Sequence, residues 1–321
     1  MPGSTSRDAV SVVIANWNGA LHLARCLDAV FDQTHLPAEV VVVDQGSTDG
    51  SRELIQTAYS DVRLIGLPNN EGVSRGWNLG IEASTSPFIL ILNTDVFLNR
   101  DFLCEALTAI SSASDIGSVA AKIYKADTDQ IDNVGLFLQR WFRPVNSLNV
   151  TQPEFVFAAS GSVLLCRREM LDDVRVDGEV FDEQFFAYLE DIDLAWRAQL
   201  RGWRCLYAPK AVAHHVGSAT HGGRVRVVQK PAWLQRHIWK NRYLILTKNI
   251  TPVVLFSLLP FLVVHALLYW FFLLFRLPHR LPTYFLAHID YIRLLPSVLY
   301  KRRWIQDRVV VAPHHILAFF K

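Results

Sequence analysis

The sequence predicts an α/β fold built on a mostly parallel sheet with helices on both faces, followed by an apolar helical region at the C-terminal end. Three observations predict it. Short apolar runs alternate with segments whose apolar residues fall at helical spacing, the order expected of parallel strands joined by crossover helices. Two of the runs end on a carboxylate, Asp44 and Asp95; parallel topology brings such ends to one sheet edge, where open α/β sheets bind ligands. Beyond residue 223 this alternation stops, and residues 252–275 form an almost uninterrupted apolar stretch.

The elements follow in order. Val10 to Ala15 reads as a strand that ends on Asn16-Trp17-Asn18-Gly19, and Leu23, Leu27, Val30 and Phe31 then recur at helical spacing. Glu39 to Val43 is a second strand, ending at Asp44. The turn-rich stretch from Gln45 to Gly50 offers Ser, Thr and Asp side chains as caps for a helix over Ser51 to Tyr59. Val62 to Ile65 is a third strand, Asn69-Asn70-Glu71-Gly72 a loop, and Val73 to Ala83 a helix. Phe88 to Leu92 is continuously apolar, as in a strand buried on both faces, and runs into Asn93-Thr94-Asp95. The glycines at 72, 76 and 80 are spaced GxxxGxxxG and do not follow the first strand, which argues against a dinucleotide-binding oxidoreductase.

The second half changes character. Ser160-Gly161-Ser162 before Val163-Leu164-Leu165 suggests a strand entering the sheet from a loop. Phe181 to Tyr188 mixes aromatic and acidic residues ahead of a helix that carries Glu190, Asp191 and an Asp193/Arg197 pair at i,i+4 spacing. Acids at a helix N-terminus are favourable in their own right. Aromatic crowding would also desolvate a carboxylate and raise its pKa, which suits a general base. A short strand over Gly202 to Tyr207 precedes the adjacent His214 and His215. Strand alternation puts these on opposite faces, so at most one points into a cleft.

Composition narrows the field. The 321 residues allow one large domain or a domain with an appendage; 51% are hydrophobic and 19% charged, and the net charge of +2 is too small to imply nucleic acid. Cys26, Cys104, Cys166 and Cys205 are far apart, with no CxxC pair, and read as buried small hydrophobes in a reducing compartment. Met1 to Asp8 is short and polar, without a signal-peptide pattern, so the catalytic part is expected to face the cytosol.

Taken in order, a set of motifs resembles the family 2 glycosyltransferases of GT-A fold (a Rossmann-like mixed sheet), and within them the rhamnosyltransferase-like enzymes of surface-polysaccharide assembly. The matching residues are Val13 to Gly19, Val43 to Ser51, Asn69 to Gly76, Leu92 to Asp95, Phe181 to Phe186, Glu190 to Arg197, and His214. They span roughly residues 10–220. The resemblance implies a nucleotide-sugar donor held by Ala15, Asn16, Asn18, Asp44, Gly46, Ser47, Arg75, Asn93, Thr94 and Asp95, with Asp44 on the base or ribose. It implies Mn²⁺ or Mg²⁺ on the diphosphate, held by Asp95 with His214 as second ligand or diphosphate contact. Asp191, with Glu190 beside it, would be the catalytic base. Three positions depart from the family pattern: Asn93 stands where an Asp-x-Asp motif has its first carboxylate, Thr94 where relatives often have Pro, and Gln45 replaces the more usual Asn. Hard oxygen ligands suit Mg²⁺ or Mn²⁺, and such a metal serves as a Lewis acid on the leaving diphosphate. One base in line with the anomeric carbon suffices for a single displacement, which inverts configuration. The implied product is a cell-surface glycan, made on a glycan or lipid-linked acceptor. An idle nucleotide- or glycan-binding scaffold of the same fold is the competing reading.

Residues 1–223 form the expected catalytic domain and 224–321 a basic, apolar helical tail. Arg224, Arg226, Lys230, Arg236, Lys240, Arg242 and Lys248 lead into the apolar run, and Arg276, Arg280, Arg293, Lys301, Arg302, Arg303 and Arg308 follow it. The run is long enough to span a bilayer, yet basic residues on both sides argue against a simple crossing. Pro260 inside the run suggests a break into a shallow hairpin, and residues 281–300 resemble an interfacial helix. The expectation is attachment to the cytoplasmic face of the membrane, monotopic in preference to a single span. Contact with RNA through the basic tail is the poorer alternative.

Overall fold

The computed structural model describes residues 7–217 and 227–321. Arg224 and Arg226 of the basic lead-in, the 223/224 boundary and residues 1–6 of the polar N-terminal stretch lie outside the described residues. The first half alternates as expected: β1 (Val10–Asn16), α1 (Ala20–Phe31), β2 (Glu39–Gln45), α2 (Ser51–Ala58), β3 (Val62–Leu67), α3 (Val73–Ala83) and β4 (Phe88–Asn93). It continues with β5 (Val96–Leu98), α4 (Phe102–Ser111), β6 (Ile116–Lys125), β7 (Ile131–Asn133), β8 (Leu136–Gln139), β9 (Arg143–Asn146), β10 (Glu154–Val156), β11 (Val163–Arg167) and α5 (Arg168–Asp173). Then come α6 (Glu190–Leu200), β12 (Arg204–His215), α7 (Ala232–Asn249), α8 (Pro252–Arg276), α9 (Leu281–Gln306) and α10 (Pro313–Leu317).

The main sheet runs β10-β12-β6-β11-β4-β1-β2-β3, with β5 on β12 and β7 on β6. The block β4-β1-β2-β3 is wholly parallel. β11 enters antiparallel between β4 and β6, and β12 is parallel to β6. The sheet is therefore mixed, with its parallel block where the sequence alternates. β1, β2 and β4 are Val- and Ile-rich because both of their faces are covered.

One face carries Leu23 and Leu27 of α1 and Phe102 and Leu103 of α4. The other carries Trp77 and Ile81 of α3 and Ile192 and Trp196 of α6, together with Leu244, Ile245, Leu258, Val298, Phe319 and Phe320 from the C-terminal region. The chain end is stitched in by backbone: Leu138 N–H donates to Phe319 O at 3.0 Å and Lys321 N–H to Leu138 O at 2.7 Å. The last hundred residues thus complete a core that α3 and α6 begin.

α8 is one continuous helix with Pro260 inside it, which corrects the expected break into a hairpin. Neighbours touch one side of it: Trp239 Nε1–H donates to the Tyr269 hydroxyl at 3.1 Å and Arg140 lies over the Phe261 ring. Its mean hydropathy reaches 2.3 over an 18-residue window of which only 11% is buried. Phe256, Leu268 and Phe275 stand exposed on its outer side.

Candidate active site

Parallel pairing sets Asn16 directly beside Asp44. Asn16 Nδ2 donates to Asp44 Oδ1 at 2.8 Å, to Ser51 Oγ at 2.9 Å and to Ser47 Oγ at 3.2 Å. The second Asp44 oxygen accepts from Ser47 N–H at 3.3 Å. Asn18, at φ 51°, donates its N–H to Ser47 Oγ and accepts Thr48 N–H on its side chain. These bonds fold the segments after β1 and β2 onto each other. Gly46 is obligatory here: its φ is +68°, and a Cβ would stand 2.7 Å from Pro68 O. Asp44, expected on the base or ribose, is wholly buried beneath this loop and already braced by Asn16 and Ser47.

Asp49, the Asp expected among the capping side chains of the Gln45–Gly50 turn, does more than cap one helix. Its carboxylate ties the loop to two helices, accepting from Ala20 N–H at 2.8 Å and Ser51 Oγ–H at 2.6 Å. Burial pushes its pKa up, and the bonds from Ser51 and Ala20 more than reverse this and hold it below the usual carboxylate value.

Asp95 follows β4, as expected, but the histidine against it is His215. His215 Nε2 lies 3.4 Å from Asp95 Oδ2, and its Nδ1 is 3.0 Å from Asp132 Oδ2. His214 instead stacks on Tyr124, ring centroids 5.7 Å apart. The residue expected beside Asp95, His214, thus gives way there to its neighbour His215. The reason is local: β12 shifts register against β6 between Ala208 and Val212, and beyond the shift strand alternation turns residue 215, not 214, toward Asp95. Burial alone would lower the His215 pKa; the flanking Asp132 and Asp95 carboxylates raise it to about 9. Ala15 is half-buried and pairs with Asn93, bringing the ends of β1 and β4 together. Thr94 lies against Gly19, where a Cβ would meet its side chain at 3.1 Å and Asn16 Oδ1 at 2.4 Å.

Among the described residues no three His, Cys, Asp or Glu side chains converge as a metal site. Asp95, with His215 once a cation displaces its proton, nonetheless fits Mg²⁺ or Mn²⁺, which are ordinarily held by one or two protein ligands, with phosphate oxygens and water completing the shell.

Asp191 and Glu190 open α6. Asp191 Oδ2 accepts from Gly161 N–H at 2.9 Å and Oδ1 from Ile192 N–H at 2.8 Å. Gly161 belongs to the loop before β11, and the neighbouring Ser162 O accepts Asn93 N–H at 2.9 Å. The Asp191 carboxylate is thereby fastened one loop away from the Asp95 end of β4. Burial raises its pKa, and the two backbone N–H groups oppose that rise. Glu190 is buried, its Oε2 has no partner among the described residues, and burial together with the Asp191 charge raises it to about 8. Both causes favour the protonated carboxyl. Environments of this kind separate neighbouring carboxyls into a neutral group and a base.

Arg75, in the first turn of α3, pairs with Glu183 at 3.2 Å and lies 3.7 Å from Glu71. It therefore bridges the β3–α3 side of the cleft to the loop that precedes α6. Asp193 and Arg197 form the expected pair at 3.0 Å, fully buried. The sequence reading did not anticipate what lies beneath: Lys248 of α7 bonds Asp193 at 3.0 Å and also Asp182, and Lys301 of α9 bonds Asp182 at 2.8 Å.

Comparison with known proteins places this geometry. The profile described as Glycosyl transferase family 2 matches residues 11–175, just over half of the chain. Over 243 residues the chain is 28% identical to an N-acetylglucosaminyl-diphospho-decaprenol L-rhamnosyltransferase of Mycobacterium tuberculosis, covering 66% of this chain and 78% of the relative. Among solved structures it resembles S. aureus TarS, with a TM-score of 0.60 at 16% identity over 97% of this chain and 53% of that one. It also resembles the mannosyltransferase PcManGT from Pyrobaculum calidifontis, solved with GDP-Man and Mn²⁺, with a TM-score of 0.55 at 18% identity over 96% of this chain and 85% of that one.

Proposed function

The chain belongs to glycosyl transferase family 2, and from that premise we propose that it transfers a sugar, with inversion, from a nucleotide-diphosphate sugar to a glycan or lipid-linked acceptor in surface-polysaccharide synthesis. UDP- and dTDP-sugars are the donors considered, and the rhamnosyltransferase relative makes dTDP-rhamnose the first to try. The observation that carries the reading is the seat of Asp191, fastened by Gly161 beside the strand end that bears Asp95.

In this reading the segments around Asn16, Asn18, Gly46 and Ser47 receive the nucleoside, with Asp44 bracing them from below. Asn93, Thr94 and Arg75 border the diphosphate. Asp95 and His215 would hold a divalent cation, which supplies Lewis acidity to the leaving diphosphate. Asp191 takes the proton of the acceptor hydroxyl as its oxygen bonds to the anomeric carbon. The C–O bond to the diphosphate breaks on the opposite face, and its electron pair leaves with the diphosphate. One displacement inverts the centre. Glu190, neutral beside Asp191, keeps a second negative charge away from the base.

We assign the nucleotide-sugar chemistry to residues 1–223 and attachment at the cytoplasmic face of the membrane to 224–321. The exposed apolar side of α8 supports attachment. Its bond to α7 through Trp239 and Tyr269, and the return of the chain end to the core, favour a monotopic arrangement. The test is release of nucleoside diphosphate from a panel of UDP- and dTDP-sugars by detergent-purified protein with Mn²⁺ or Mg²⁺, with the product anomer read by NMR. Release from one donor with an inverted product is expected. Silence across the panel would leave the scaffold reading standing, and a retained anomer would remove Asp191 from its role.

A further inference from the structure

The segment between Asp182 and α6 is held in a conformation that its residues do not favour. Phe186 has φ 64° and ψ −62°, and Ala187 N–H donates to Phe185 O at 2.8 Å. That is a γ-turn of the rare, strained hand. Tyr188 at φ 71° and Leu189 at φ 70° follow, both bulky and both left-handed. Three such residues in four cost of order 1–3 kcal/mol each and persist only where the surroundings over-determine them. Leu189 is also the N-cap of α6, so its dihedrals set the direction in which Glu190 and Asp191 leave the loop.

One buried side chain reaches three carbonyls of this turn. Asn241 of α7 is wholly buried, and its Nδ2 donates to Phe185 O at 3.0 Å, Ala187 O at 2.9 Å and Tyr188 O at 2.7 Å. The opposite side of the segment leans on the β3–α3 loop. Val73 N–H donates to Phe186 O at 2.7 Å, and a Cβ on Gly72 would strike that carbonyl at 2.6 Å. Both flanks are pinned to α7 as well: Lys248 bonds Asp182 before the segment and Asp193 after it, and Asn249 donates to Asp193 Oδ1 at 2.8 Å.

We propose that Asn241 is a positioning residue for sugar transfer: its amide fastens the strained Phe185–Leu189 turn and so fixes the direction in which Asp191 faces the acceptor. The proposal rests on Asp191 being the base. It places a requirement of the reaction in a helix outside the family-matched residues, in the same region that presents the apolar side of α8.

The test compares the 321-residue chain with its Asn241→Ala, Leu189→Gly, double and Asp191→Asn variants. Asn241→Ala is expected to lower kcat at least tenfold with the donor KM within twofold, and to displace the limb of the pH–kcat profile that reports the base. Leu189→Gly in the Asn241→Ala background is expected to recover at least threefold, because glycine adopts the left-handed N-cap without the clamp. A kcat within twofold of the parent overturns the proposal. So does a loss of kcat that follows donor KM and melting temperature together and that glycine does not recover. If Asn241→Ala does not fold, Asn241→Ser keeps one donor for the carbonyls and is read in the same way. Failure of the underlying reading looks different: Asp191→Asn itself would then turn over normally.

Discussion

The two sides of the cleft are built by different means. On the β1–β2 side, neutral side chains a few residues apart in two loops bond one another: Asn16, Asn18, Ser47 and Ser51 around Asp44. Nothing from the C-terminal helices is needed. On the α6 side the backbone is strained and charges are buried, and the groups that satisfy them come from α7 and α9, over 50 residues away in sequence. Burial would raise the Asp182 pKa, but the Lys248 and Lys301 ammoniums hold it well below the usual range. A self-contained loop can be read as a motif, whereas a braced loop depends on the rest of the fold.

Removing one group from the end of β4, which needs no brace from the C-terminal helices, and one from the brace beneath α6 sharpens the contrast. Asp95→Ala is expected to weaken Mn²⁺-dependent binding of nucleoside diphosphate by on the order of 100-fold while leaving the melting temperature near the parent's. Calorimetry with and without Mn²⁺ checks it, and unchanged affinity in both conditions would count against a metal at Asp95. Lys248→Met should do the reverse. It leaves Asp182 and Asp193 buried beside an apolar chain, at a cost of about 3–5 kcal/mol, read by urea unfolding. A loss below about 1 kcal/mol would mean that the brace is dispensable.

The histidine pair provides a smaller and more selective test. His215→Ala is expected to lower metal affinity by roughly 10-fold, and His214→Ala to lower it by less than twofold. The opposite order would restore His214 to the place first given to it. The mildest effect is that of Glu190→Gln. The carboxyl of Glu190 titrates near 8 in the folded chain against an ordinary 4.5. Below that ordinary value both folded and unfolded states are protonated. Between the two values only the unfolded state ionises, so stability falls as pH rises; above 8 it falls no further. The slope is at most about 1.4 kcal/mol per pH unit. The melting temperature of Glu190→Gln should therefore gain on the parent's from pH 5 to pH 8, and a constant difference would show that Glu190 ionises normally.

The parallel block was legible because burial on both faces writes itself as continuous Val and Ile runs, as in β1, β2 and β4. The carboxylates at the ends of β2 and β4 were placed correctly for the same reason. Residues 126–157 carry no comparable signal: β7 to β10 are three or four residues each and mostly mixed in polarity. Pro209 and Lys210 broke the pattern of β12, which the structure carries through to His215 across a register shift. That one irregularity decides which histidine meets Asp95. The Phe181–Phe186 and Glu190–Arg197 motifs were read as chemistry, but the strain between them is invisible in sequence, because a left-handed Tyr188 or Leu189 has no composition mark. Asn241 was unreadable for the same reason, since its partners are backbone carbonyls.

The central claim, that Asp191 takes the acceptor proton, is tested most directly by Asp191→Asn. The side chain keeps its shape, and donor affinity is the internal control. Steady-state transfer with the donor identified from the panel should fall by ~10²–10⁴-fold, with binding of nucleoside diphosphate within twofold of the parent's. Transfer within tenfold of the parent's at unchanged donor affinity would contradict the account.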